Sequence, residues 1–143
     1  MEDLHGYYLE DLSVGMTASL AKTVTEADIV KFAEVSGDTN PVHLDAEYAA
    51  GTMFKQRIAH GMLSAALISA VLGTRLPGPG AIYLDQHLSF RAPVFIGDTV
   101  DASVTVTEID DKRRRVTLET ICSVDGKVVA KGVATNMVDR RPA

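Results

Sequence analysis

His60-Gly61-Met62-Leu63-Ser64-Ala65-Ala66-Leu67-Ile68-Ser69-Ala70-Val71-Leu72-Gly73-Thr74-Arg75 reads as a helix with almost no polar side. Met62, Leu63, Ala65, Ala66, Leu67, Ile68, Ala70, Val71 and Leu72 fall on nearly every face of it. A helix that is apolar all round cannot lie at a water boundary, so other parts of the chain must surround it. Gly61, Ser64, Ala65, Ala66, Ser69, Ala70 and Gly73 are small enough to let a sheet or another backbone come close on several sides. Leu76-Pro77-Gly78-Pro79-Gly80 then stops the pattern.

What surrounds the helix is legible on both sides of it. Downstream the apolar period is two, which predicts strands over 81–91, 99–109, 113–123 and 127–138. Asp125-Gly126 is a two-residue hairpin signal, and Asp110 to Lys112 makes a looser turn before it, so these strands form an antiparallel sheet. Upstream, a first strand over 16–23 leads into a helix over 24–37. Thr25 caps that helix, Asp28 stands three residues on as in a capping box, Ile29, Phe32, Ala33 and Val35 are its apolar positions, and Gly37 is its stop. Residues 38–43 are expected to be a loop, shaped by Pro41, which lacks a donor and drives Asn40 toward an extended conformation. A short helix capped by Asp45 runs through Tyr48 and Ala50. Five strands around one apolar helix predict an α+β fold in which the sheet wraps the helix, as one domain over residues 1–143.

Composition narrows the function. A chain of 143 residues can bury roughly 70% of its unfolded surface, and 46% hydrophobic with 23% charged residues is a globular balance. A net charge of −5 argues against nucleic acid as a partner, because phosphates are neutralised by surplus Lys and Arg. The one basic run, Lys112 to Arg115, reads as a solvated hairpin turn. Cys122 stands alone, so packing must stabilise the fold without a disulfide, and a reducing cytoplasm is the expected location. The N-terminus lacks a signal-peptide pattern. The apolar stretch 58–72 is too short, and too interrupted by His60, Gly61 and its serines, to make a membrane an expected partner.

The chemistry rests on Asp38 and His43, a carboxylate and an imidazole in the loop that precedes the apolar helix. Loops held by rigid elements commonly carry function. An imidazole changes charge near neutrality and a carboxylate beside it fixes its orientation, so the two can act as an acid–base pair at ordinary pH. Gly61 begins the helix. There the free N–H groups and the positive end of the macrodipole can stabilise a negative oxygen, and glycine permits close approach.

The run Phe32-Ala33-Glu34-Val35-Ser36-Gly37-Asp38-Thr39-Asn40-Pro41-Val42-His43-Leu44-Asp45-Ala46-Glu47-Tyr48-Ala49 contains Gly-Asp-x-Asn-Pro-aliphatic-His, with an aromatic residue before it and a small residue six positions after the histidine. It resembles the signature of the (R)-specific enoyl-CoA hydratases in the MaoC-like dehydratase family. The resemblance continues through Arg57-Ile58-Ala59-His60-Gly61-Met62-Leu63, through Pro77-Gly78-Pro79-Gly80 and through residues 88–98, and so covers most of the chain. It implies a hot-dog fold, in which an antiparallel sheet wraps a long central helix, paired into a homodimer. It further implies Asp38 and His43 as the catalytic pair, the Gly61 N–H as holder of the thioester carbonyl and Ser69 as the residue that orients the pair. The implied reaction adds water to a trans-2-enoyl-CoA, or removes it from an (R)-3-hydroxyacyl-CoA, with no metal and no redox cofactor.

Other readings of the same residues stay open at this point. They are a dehydratase acting on acyl carrier protein, a hot-dog thioesterase, and a noncatalytic acyl-thioester-binding subunit. The sequence does not say which of Asp38 and His43 is the base, nor the acyl chain length. His60 is read as structural and left out of the site. Arg57 and Arg91 are candidates for the phosphates of coenzyme A, and Met53, Phe54, Leu72 and Leu84 for the lining of an acyl tunnel.

Overall fold

In a computed structural model, which describes residues 4–143, alternation builds the sheet; the first three residues of the expected 1–143 domain lie outside the described residues. Along β3 (Thr99–Asp110), Val100, Ala102, Val104 and Val106 are buried, and along β4 (Arg115–Val124), Val116, Leu118, Thr120 and Cys122. Every second side chain therefore enters the core, which is the period of a pleated strand with one face covered. β5 (Lys127–Met137) returns from β4 through Asp125 and Gly126, with φ of 49° and 80°, the positive pair that a primed two-residue turn requires. β1 (Thr17–Thr23) pairs with β3 and β2 (Ile82–Phe90) with β5, all antiparallel, giving the order β1-β3-β4-β5-β2. Each strand begins and ends within two residues of its expected bounds. β2, although next to β3 in sequence, crosses to the far edge of the sheet.

Between β1 and β2 the chain makes four helices: α1 (Glu26–Ser36), α2 (Pro41–Leu44), α3 (Ala46–Ala50) and α4 (Gly61–Thr74). In α1 the capping box is formed, with the Asp28 N–H on Thr25 Oγ1 at 3.1 Å and the Thr25 N–H on Asp28 Oδ2 at 2.9 Å. That N–H, followed by the Lys22 ammonium, holds the Asp28 carboxyl below its ordinary range. Gly37 ends α1 in the left-handed region at φ 78°. Residues 38–43 need a correction, because the expected loop is half helical. Asn40 Oδ1 accepts the Val42 N–H at 3.1 Å, and Pro41 occupies the first helical position, where its missing N–H has no partner to lose.

α4 touches β1, β2, β3 and β4. β1 and β2 are the two edges of the sheet and would stand about 19 Å apart in a flat one. A helix about 10–12 Å across reaches both only if the sheet curls round it. This is the α+β hot-dog architecture, with Ile68, Val71 and Leu72 of the helix fully buried. The expectation of a helix covered on all sides is corrected, however. Met62, Ala66, Ser69 and Gly73 are exposed and form one stripe along the axis, because a single curled sheet leaves one side open. Cys122 lies under the helix with its thiol directed at the Ser64 carbonyl, 3.5 Å away, and burial pushes its pKa up to about 11. Among the described residues no helix is long and apolar enough to cross a membrane.

Candidate active site

Two short segments make the site. The first runs from the end of α1 to α2. Ser36 Oγ accepts the Asp38 N–H at 3.1 Å while donating to the Phe32 carbonyl at 2.6 Å. Asp38 Oδ1 in turn accepts the Asn40 N–H at 3.2 Å, an Asx turn that leads into the Asn40 cap of α2. One carboxylate oxygen of Asp38 is thus committed to shaping its own loop. The other, Oδ2, lies 4.0 Å from His43 Nε2.

The second segment, residues 57–61, holds the first from behind. His43 Nδ1 is 2.7 Å from the Ile58 carbonyl, which can only accept, so Nδ1 carries a hydrogen and Nε2 is the nitrogen turned toward Asp38. The Arg57 Nε donates to the His43 carbonyl at 2.7 Å, and its Nη1 reaches Glu26 at 2.8 Å. His60 Nε2 lies 2.9 Å from the Asp38 carbonyl, and its ring stacks on that of His43 with centroids 3.9 Å apart and planes 27° apart. The Ile58 N–H reaches Val42 and the Ala59 N–H reaches Val94, tying the segment down on both sides. Four consecutive residues, 57–60, thereby hold the segment that carries a carboxylate and an imidazole up to 22 positions away.

Gly61 opens α4, and its N–H has no acceptor among the described residues. A Cβ at this position would come within 2.9 Å of the Phe90 ring, so any side chain would push that ring off the first turn of the helix. Asp38, His60 and Gly61 line one cavity of about 580 Å³, together with Ser64, Phe90 and Arg91. His43 is not among the lining residues and reaches the cavity through Asp38, 4.0 Å away. The side chain of Asp38 is 52% exposed and that of His43 only 10%, so the carboxylate opens to the cavity and the imidazole is held behind it.

Asp38, His43 and Gly61 are therefore brought together. Ser69 is not: it lies on the exposed stripe of α4, about 12 Å along the axis from Gly61. Ile58 and His60 contact the segment that carries the pair, and the serine facing the cavity is Ser64. Arg57, a candidate for coenzyme A phosphates, spends its donors on Glu26 and His43. Arg91 remains, with a guanidinium that has no partner among the described residues. Met53 and Phe54 do line the cavity, whereas Leu72 is core and Leu84 lies on β2. His60, read from the sequence as structural, lines the cavity as well. The donor atoms of Asp38, His43 and His60 lie within 4.8 Å of one another, and one ring nitrogen of each histidine is spent on a main-chain carbonyl, His43 Nδ1 on Ile58 and His60 Nε2 on Asp38.

Residues 13–128 match the model of the MaoC like domain. The chain belongs to this family. It is 60% identical over 140 residues to the (R)-specific enoyl-CoA hydratase of Rhodospirillum rubrum, covering 98% of this chain and 97% of that one. It is 52% identical to the 3-hydroxybutyryl-CoA dehydratase of Methylorubrum extorquens, covering 99% and 90%. Among solved structures, the R-hydratase of Pseudomonas aeruginosa in its unliganded form superposes with a TM-score of 0.91 at 47% identity, covering 96% of this chain and 89% of that one.

Proposed function

We propose that this MaoC-like protein is an (R)-specific enoyl-CoA hydratase whose acid–base pair is Asp38 and His43. The observation that carries this reading is the 4.0 Å separation of Asp38 Oδ2 and His43 Nε2 beside a cavity that also holds the Gly61 N–H. With the imidazole neutral and the carboxyl ionised, both atoms are acceptors. A water about 2.8 Å from each would donate a hydrogen to each and keep an oxygen lone pair free for attack.

That lone pair attacks C3 of a trans-2-enoyl thioester, a proton passes from the water to the pair, and the pair returns a proton to C2. The product is an (R)-3-hydroxyacyl-CoA, and dehydration is the reverse. Negative charge builds on the thioester oxygen during attack, and the Gly61 N–H at the positive end of α4 is placed to receive it. Arg91, whose guanidinium has no acceptor among the described residues, suits the phosphates of coenzyme A.

The active unit in this reading is a homodimer in the cytoplasm. β2 is an edge strand that exposes Ile82, Tyr83, Leu84 and Phe90, and the exposed stripe of α4 is apolar or small throughout. A second copy pairing along β2 removes both liabilities. Ser69 enters as a residue of the covered stripe rather than as a partner of the pair.

The test is hydration of crotonyl-CoA, followed by loss of the enoyl absorbance and chiral analysis of the product, on protein whose mass is read by light scattering. Turnover to the (R)-3-hydroxy product by a species of twice 15.3 kDa is expected. An (S) product or release of free coenzyme A overturns the reaction, turnover restricted to carrier-protein substrates moves the substrate class, and a monomer mass removes the dimer.

A further inference from the structure

His60 is a buried titratable group that the hydration chemistry does not use. Only 2% of it is exposed; its ring lies on the face of His43 and tilts against Phe32, with centroids 4.9 Å apart. Because the Asp38 carbonyl only accepts, the 2.9 Å contact places the hydrogen on His60 Nε2. In the neutral ring Nδ1 is then a buried lone pair, and it has no hydrogen-bond partner among the described residues. Although His60 occupies the N-cap position of α4, its side chain makes no capping bond. A buried acceptor left unpaired costs stability, so the imidazole needs a reason that a packing residue would not.

The reason lies in what it joins. A phenylalanine would supply the flat face behind His43 without the orphaned nitrogen, but would leave the Asp38 carbonyl without its donor. A glutamine would supply a donor but no flat face. Imidazole supplies both from one side chain, fixed at the start of a helix that packs against the curled sheet.

We propose, resting on the reading of Asp38 and His43 as the acid–base pair, that His60 is a positioning residue that sets the spacing of that pair. Its Nε2–H pins the main chain that carries the carboxylate, and its ring face limits rotation of the imidazole, so that Oδ2 and Nε2 address one water together. The effect is on turnover. A water held by only one acceptor still allows the thioester to bind but attacks at the wrong distance and angle, and displacements on the order of 1 Å can cost about 100-fold in rate.

His60→Phe and His60→Gln separate the two contributions in the intact protein. With crotonyl-CoA, each is expected to lower kcat by about 10- to 100-fold, with KM within about threefold of the unaltered protein. In proton spectra the ring-current shift on the His43 ring protons should persist in His60→Phe and vanish in His60→Gln. A kcat within about twofold of the unaltered protein in both variants, or a rise in KM alone, overturns the proposal. Should a variant fail to fold, the imidazole 15N spectrum of the unaltered protein decides: His60 protonated at Nδ1, or no ring-to-ring contact with His43, overturns it equally. Unaltered protein with the stack intact but no hydration of crotonyl-CoA overturns the acid–base reading itself, which distinguishes that failure from this one.

Discussion

β3 and β4 on one side, and the paired segments 38–43 and 57–61 on the other, are both well defined, but by different forces. The strands are ordered by burial, since Val100 to Val106 and Val116 to Cys122 enter the core at every second position. The segments are ordered by directed hydrogen bonds, and those that join the two run in part from a side chain to a distant main-chain group: His43 to Ile58, Arg57 to His43, His60 to Asp38. Burial is non-directional and tolerant, so it fixes a scaffold; directed bonds fix a geometry to a few tenths of an ångström. Stability and activity should therefore respond to different residues.

Asp38→Asn makes the sharpest break. The asparagine oxygen can still accept the Asn40 N–H, so the loop is kept, while the acceptor facing His43 is lost as a charge. We expect kcat to fall about a thousandfold, equivalent to about 4 kcal/mol, with circular dichroism and midpoint of unfolding unchanged. A variant that unfolds early would show that the two regions are not separable. Leu118→Ala, at a fully buried position of β4, should do the reverse. The expected loss is about 2–5 kcal/mol of stability, read as a fall of roughly 10 °C in Tm, with kcat per folded molecule retained. Thr25→Ala probes the boundary, since it removes the cap of α1, the helix that delivers Asp38. A loss of about 1 kcal/mol in denaturant unfolding with unchanged kcat is expected; a fall in kcat of the same size would mean that the site draws on α1 for its geometry.

The same division explains what could be read from the residues alone. The strands and α4 follow from periods of two and from apolar residues on nearly every helical face, signals carried by the side chains of the elements themselves. Asp38, His43 and Gly61 were legible because a loop motif and a helix start announce them. His60 and Arg57 were not, because each acts on a main-chain carbonyl 14 or 22 positions earlier, and a carbonyl leaves no mark in a sequence. The half-helical 38–43 segment was read as a loop because a proline after an asparagine signals a turn and a helix start alike. Ser69 and the open stripe of α4 show the limit of reading a helix by composition. A uniformly apolar helix announces that something covers it, and does not distinguish its own sheet from a second copy.

The lone sulfhydryl has a practical consequence at the bench. With Cys122 sealed beneath α4 and its pKa raised to about 11, almost no thiolate exists at neutral pH, and colour reagents that consume sulfhydryls should leave the native protein untouched. Any yellow that develops when enzyme and acyl-CoA are mixed in such a reagent then comes from liberated coenzyme A alone, so hydrolysis can be measured against a background of zero.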